Sequence, residues 1–185
     1  MGDMTELQAR EDKLQGMGTS LLRKEDAKFI RGQGSYVDDI KLPGMLFGAV
    51  VRSPYAHARI KRIDKSKALA CPGVVAVLTA EDLKPVNLHW MPTIGGDVQA
   101  VLADKKVCFQ MQEVAMVLGT DRYAAADGAA LVEVDYEELP AIVDPKKAMD
   151  KDAPIIREDI ADKTEVGHGP RTHPNHIFTW EAGDK

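Results

Sequence analysis

Residues 32–58, GQGSYVDDIKLPGMLFGAVVRSPYAHA, decide how the chain is read. A glycine-relieved turn passes through the acidic pair Asp38-Asp39 and a Pro43-Gly44 corner into residues 45–51, an apolar run long enough for one buried strand. Proline has no amide hydrogen and drives the residue before it toward extended geometry, so Arg52-Ser53-Pro54-Tyr55 takes the chain off that strand at a fixed angle. A second strand is expected over residues 58–63, with Ala58, Ile60 and Arg62 on one face and Arg59 and Lys61 on the other. Gly32-Gln33-Gly34 follows no strand and lacks the Lys-Ser/Thr or third glycine of the phosphate cradles, so it reads as a turn.

Downstream, Asp64 is placed to cap a short helix over residues 65–70, which Pro72-Gly73 stops. A strand follows over residues 74–78, and Thr79-Ala80-Glu81-Asp82 has the spacing of a helix-start box. Residues 86–106 show no period and are expected to form one loop of about twenty residues, a length that is usually functional or covered by a partner. His89 and Trp90 are its most chemical residues. A lone histidine with no ligand neighbours makes no metal site, so packing or an interface is the expected role. Residues 113–118 are nearly all apolar, as in a strand covered on both faces. Residues 121–131 carry Tyr123, Ala126, Ala130 and Leu131 at helical spacing, and small residues around Gly128 let such a helix lie close to a sheet. Residues 132–136 alternate, with Val132, Val134 and Tyr136 inward. The acids of residues 133–138 then need no catalytic purpose, since the wet face of a half-exposed strand explains them. Leu139-Pro140 ends that strand, and Asp144-Pro145 opens a last helical turn through Met149.

The chain has 185 residues and a net charge of −5, with both signs interleaved along its length. That pattern gives no support to nucleic-acid binding. No run approaches the roughly 18 apolar residues of a membrane span, and the charged start MGDMTELQAREDKLQG is unlike a secretory signal. Cys71 and Cys108 are far apart and outside any C-x-x-C pair, which disfavours a disulfide scaffold, a zinc site or an iron–sulfur site on this chain. The expected organisation is an arm over residues 1–20, an α+β domain over 21–150 and an extended tail over 151–185. His168, His173 and His176 in the tail are read as linker residues. Residues 177–180 are expected to be a strand with no partner after it.

The ordered series Arg23-x-Glu25-Asp26, Gly32-x-Gly34-x-Tyr36-x-Asp38-Asp39-Ile40-x-Leu42-Pro43-Gly44, then Arg52-Ser53-Pro54-Tyr55-Ala56-His57-Ala58, resembles the start of the large subunit of molybdenum hydroxylases, the xanthine dehydrogenase and aldehyde oxidase family. Pro72-Gly73-Val74, Thr79-Ala80-Glu81-Asp82-Leu83, Glu113-Val114-Ala115 and Val132-Glu133-Val134-Asp135-Tyr136 continue the likeness. Asn87-Leu88-His89-Trp90-Met91-Pro92-Thr93, Gly96-Asp97-Val98-Gln99-Ala100 and Asn175-His176-Ile177-Phe178 look like the branch of that family formed by the aerobic, molybdenum- and copper-containing carbon monoxide dehydrogenases.

The resemblance implies a mixed sheet with short packed helices, the α/β hammerhead, followed by the first strand of a molybdenum-cofactor domain. It implies oxidation of CO with water to carbon dioxide by the whole subunit, at a molybdopterin cytosine dinucleotide holding Mo and Cu. A small [2Fe-2S] subunit and a medium FAD subunit are the implied partners, in a dimer of heterotrimers. The implied location is the cytoplasm, with association to the inner face of the cell membrane. The family's copper loop, glycine-rich molybdenum segment and active-site glutamate would lie beyond Lys185, so no catalytic, cofactor-binding or metal residue is expected here. Arg52, Tyr55 and His57 are expected to be scaffold or interface residues. Two alternatives accompany this reading: a large-subunit piece of a hydroxylase acting on aldehydes or N-heterocycles, and a free-standing interaction or assembly module.

Overall fold

Strand order follows from which apolar runs are covered on both faces. The computed structural model describes residues 23–88, 90–92, 98–160, 165–166 and 169–184. The expected arm over residues 1–20, His89 and His168 lie outside them. The chain divides into two compact units, Met1–Gly44 and Met45–Lys185.

In the first unit, helix α1 (Asp26–Ile30) is followed by Gly32 at φ 67°, the left-handed geometry that glycine adopts without strain. A single-turn 3₁₀ segment, Val37–Asp39, is capped where the Tyr36 amide donates to Asp39 Oδ2 at 2.9 Å.

The second unit carries strands β1 (Phe47–Arg52), β2 (Ala58–Asp64) and β3 (Val74–Thr79). Helices α2 (Ser66–Leu69) and α3 (Ala80–Leu83) interleave with them. Then come β4 (Trp90–Pro92), β5 (Val98–Ala100), β6 (Lys106–Val107), β7 (Glu113–Gly119), helix α4 (Arg122–Ala130) and β8 (Glu133–Glu138). The hairpin strands β9 (Glu165–Val166) and β10 (Gly169–Pro170) follow. One sheet has the order β1-β7-β3 and a second the order β6-β2-β8, with every ladder antiparallel. The expected α+β arrangement is therefore present, divided between two three-stranded sheets. β1 begins two residues later than its apolar run and ends at Arg52, where Ser53-Pro54 turns the chain away.

As the continuous apolar run required, β7 is the central strand, with Val114, Ala115 and Val117 wholly buried. Val117 joins Ala68 and Val77 in a core that Val51, Val74, Ala129 and Val132 complete. Ala58, Ala103, Val107 and Val114 form the second core, against Ile60, Ile63, Val134 and Tyr136. The alternation of β8 places Val134 and Tyr136 inward as expected.

Three expectations need correction. Arg62 does not share the inward face of Ala58 and Ile60. The β2–β8 register shifts between Ile60 and Arg62, so Lys61 is the extra residue of a bulge. Beyond it the phase inverts, Ile63 turns in, and Arg62 Nε donates to Asp135 Oδ2 at 2.9 Å on the outside. Helix α4 buries Ala124, Ala125 and Gly128, whereas Tyr123 is 76% exposed and Ala126 and Ala130 face solvent. The helix lies too close to the sheet for a large side chain: a Cβ on Gly128 would stand 2.6 Å from Val74 Cγ2 and 2.9 Å from Val117 Cγ1. Finally, residues 86–106 are not one loop. β4 and β5 pair as a hairpin with Trp90 opposite Ala100, and Leu102 and Ala103 are buried. Strands of three residues are too short to show a period.

The helix starts are local. Thr79 and Asp82 form a reciprocal capping box. The N-cap of α2 is Lys65, one residue later than expected, although Asp64 Oδ1 still accepts from the Ser66 amide at 2.9 Å. Asp121 Oδ1 accepts from the amides of both Tyr123 and Ala124 at 2.9 Å, satisfying two free donors of α4. Asp121→Ala should therefore lower stability by about 1 kcal/mol. Asp121→Asn, which keeps an acceptor, should lose much less in the same urea titration; equal losses would remove the capping explanation.

Candidate functional site: a charged groove and the turn after the first strand

Two places gather the chemistry-bearing side chains. The first is the Arg52–His57 turn. Arg52 Nη1 donates to Met111 O at 2.8 Å and to Glu113 Oε1 at 2.5 Å, which holds the end of β1 against the segment entering β7. Ser53 is fully buried, and its hydroxyl accepts from the Tyr55 amide at 3.0 Å. The Tyr55 ring leans on Tyr136 with centroids 5.3 Å apart, and burial pushes the Tyr136 phenol above its ordinary range. His57 Nδ1 lies 2.6 Å from Pro140 O, which can only accept. Nδ1 therefore carries a proton and donates, while Nε2 is buried and without a hydrogen-bond partner. Of the three residues expected to be scaffold or interface, Arg52 and Tyr55 tie the turn to β7 and β8, and His57 ties it to Pro140 just beyond β8.

The second place is a groove of about 1210 Å³ between the β2/β6 edge, the β4–β5 hairpin and residues 156–159. Arg157 spans it, with Nη2 donating to Val98 O at 2.6 Å and Nε donating to Asp159 Oδ1 at 2.7 Å. Lys106 pairs with Glu158, and Lys84 Nζ reaches Asp104 Oδ2 at 2.9 Å and Glu81 Oε1 at 2.9 Å. Asp159 is held below the ordinary carboxylate range by its hydrogen bond from Arg157. Burial works to raise Glu158, but the bond and charge of Lys106 win and leave it depressed. Both are ionised at neutral pH and hold no proton to give. Cys108 lies in the wall with its thiol pushed up, chiefly by burial, and donating to Ile156 O at 3.5 Å. That environment disfavours the thiolate that a metal or a nucleophilic step would need. What the groove offers is paired charge over the apolar side chains of Trp90, Leu102, Phe109 and Ile156.

Among the described residues, no three or more His, Cys, Asp or Glu side chains converge as a metal would require. Cys71 and Cys108 are both free, and neither belongs to such a group. The donor set described here does not fit molybdenum or copper, and no step through either is derived from it.

Two hubs were missed in the sequence. Asn175 Oδ1 accepts from the Ile156 amide at 3.0 Å, while its Nδ2 donates to Ala148 O and Pro154 O, each at 3.0 Å. Arg171 Nε donates to His173 O at 3.1 Å, and its Nη atoms donate to Ile160 O and Pro174 O. Neither carries a local signal: the partners of Asn175 lie about twenty residues away, and those of Arg171 are main-chain carbonyls that meet it only once the chain is folded. His176 is bracketed by the Thr172 amide at 3.3 Å and Thr179 Oγ1 at 2.8 Å. The strand expected over residues 177–180 is absent except for one bridge residue, Thr179. Side-chain bonds to a histidine have replaced a ladder there.

The depressed carboxylates set an acid dependence. Asp82 is lowered by the Thr79 amide first and by Lys65, from an ordinary value of 3.8. A carboxylate with a lower folded than unfolded pKa stabilises fully above the unfolded value, and that contribution is lost as pH falls through the folded one. Thermal midpoints should hold down to about pH 5 and then drop steadily. Asp82→Asn should flatten part of the slope; an unchanged slope would remove Asp82 from the account.

A family model described as the a/b hammerhead domain of aldehyde oxidase and xanthine dehydrogenase matches residues 31–140. The chain belongs to that family. It is 68% identical to the carbon monoxide dehydrogenase large chain of Afipia carboxidovorans over 95% of its length, and 64% identical to that of Hydrogenophaga pseudoflava over 96%. It spans 22% of each of these relatives. The structure of reconstituted CO dehydrogenase from Oligotropha carboxidovorans superposes on 96% of the chain, and on 22% of that protein, with a TM-score of 0.83 at 67% identity. Quinoline 2-oxidoreductase from Pseudomonas putida 86 covers 76%, and 19% of that protein, with a TM-score of 0.64 at 38% identity.

Proposed function

We propose that this chain is the N-terminal structural portion of the large chain of an aerobic carbon monoxide dehydrogenase. The observation that carries the reading is the gap in identity. Two large chains of that enzyme match at 68% and 64%, whereas the nicotine 6-hydroxylase large subunit of Paenarthrobacter nicotinovorans matches at 35%. In this reading residues 21–150 form the hammerhead domain, and 151–185 lead into the domain that holds the cofactor. The whole enzyme converts CO and water to carbon dioxide, two protons and two electrons. The reading includes a molybdopterin cytosine dinucleotide with Mo and Cu in the complete large chain, and [2Fe-2S] and FAD on small and medium subunits of a dimer of heterotrimers. The bound centre supplies the two-electron chemistry; the residues described here position strands and interfaces around it. The reading places the enzyme in the cytoplasm, and among the described residues no helix is long and apolar enough to cross a membrane.

The test is to read the DNA downstream of codon 185 and to purify the encoded complex. A continuing frame with a cysteine loop for copper, and CO-dependent dye reduction by the complex, is the expected result. A frame that encodes no such loop, with turnover of an aldehyde or N-heterocycle instead of CO, would overturn it.

A further inference from the structure

Residues 23–44 are ordered by their own bonds and yet bury nothing. Helix α1 is closed where Gly32 N donates to Phe29 O at 3.0 Å and Gln33 N to Lys28 O at 3.0 Å. The Phe29 and Tyr36 rings stack across that turn with centroids 5.7 Å apart, and Gly34 passes beneath them, where a Cβ would sit 3.1 Å from Phe29 Cδ1. Asp39 then fixes the next turn through the Tyr36 amide. Despite this order no residue between Arg23 and Gly44 is buried, and Ile30 and Val37 are 85% and 86% exposed, with Leu42 and Ile40 also in solvent. Apolar side chains held out into water on a backbone ordered by its own bonds are what a docking element presents before it docks, because less backbone ordering then opposes binding.

We propose that residues 23–44 are a prebuilt docking arm whose apolar side chains, Ile30, Val37, Ile40 and Leu42, seat on further polypeptide of the same large chain. The inference rests on the reading above. Its occupant follows from length: the chain spans 22% of its curated relatives, so most of a relative's polypeptide lies outside this stretch. A covalently joined surface is present at high effective concentration, which favours it over a separate subunit for so small a patch. Charges of both signs occur along the arm, from Arg23, Lys24, Glu25 and Asp26 to Asp38, Asp39 and Lys41, which suits no single-signed partner such as nucleic acid or an anionic membrane.

The experiment places p-benzoyl-phenylalanine at Val37 in the complete large chain within the purified enzyme, irradiates it and maps the adducts by mass spectrometry. The expected product is an intrachain crosslink, migrating at the mass of one large chain, from position 37 to a residue beyond 185. Adducts to another subunit, to a second large chain, or none at all would overturn the proposal. As a second measurement, Ile30→Asp with Val37→Asp should lower the melting midpoint of the complete large chain by about 1 °C or more. No shift would overturn it too. A reading frame that closes at codon 185 would remove the functional reading and this inference together. A long frame whose product gives no such crosslink removes this inference alone.

Discussion

Gly119→Ala is expected to cost about 3 kcal/mol of stability, at the top of the usual range for overpacking. Gly119 ends β7 where the chain turns into α4, and a Cβ there would lie 2.6 Å from the Ala125 amide nitrogen, 3.0 Å from Asp121 O and 3.1 Å from Ala125 Cα. All three are backbone atoms of the first turn of a helix already anchored by the Asp121 cap and by the packing of Ala124 and Ala125. Accommodating one methyl group therefore means moving the helix, and the core around Val117 with it. Gly48→Ala is the matched control. Its Cβ would meet Met116 Cε at 2.5 Å, a closer approach, but to the free end of a flexible side chain. That methyl swings aside, so the loss should stay below about 1 kcal/mol. In thermal unfolding the first substitution should lower the midpoint by roughly 6 to 12 °C and the second by only a few. Similar shifts for both would mean that the helix gives way as easily as a methionine.

The other large effect is expected at Asn175. Its side chain makes three bonds to main-chain groups at residues 148, 154 and 156, and its amide donates to His173 Nδ1 at 3.1 Å. Asn175→Ala leaves a half-buried N–H and two carbonyls without protein partners. At about 1 kcal/mol for each bond, the tail should open locally with about 3 kcal/mol less resistance. The readout is amide exchange at Ile156, together with thermolysin cleavage between residues 150 and 184. Both should accelerate on the order of a hundredfold while exchange in β7 is unchanged. Asn175→Asp keeps the acceptor for Ile156 but sets a carboxylate oxygen against the two carbonyls that Nδ2 served, so it should accelerate both at least as much. Acceleration of β7 to the same degree would show that the tail and the sheets open together.

What the sequence disclosed is what neighbouring residues decide among themselves. The capping box of Thr79 and Asp82, the break at Ser53-Pro54 and the alternation of β8 each involve residues within a few positions of one another, and each was legible. The double burial of β7 was legible too, because a strand with a sheet neighbour on each side and cover on both faces writes that fact into every residue. The bulge at Lys61 was not, since Arg62 looks inward until Asp135, far along the chain, offers it a partner on the outer face. Nor was the buried face of α4. Tyr123 and Leu131 promised a large apolar contact, but the close approach at Gly128 leaves room only for alanines. The groove was the least legible of all, because Val98, Lys106 and Arg157 meet only through folding.

The ladders carry a consequence for how this polypeptide comes into being. None of the long strands pairs with its neighbour in sequence: Phe47 and Val74 both wait for Gly119, and Ala58 waits for Glu138. During synthesis neither three-stranded sheet can close until its late member has left the ribosome, and until then β1, β2 and β3 stand with free edges and uncovered apolar side chains. Such distant pairings fold slowly and expose the nascent chain to association with others. Supply of the protein should therefore depend on translation speed and chaperone capacity more than on the stability of the finished fold.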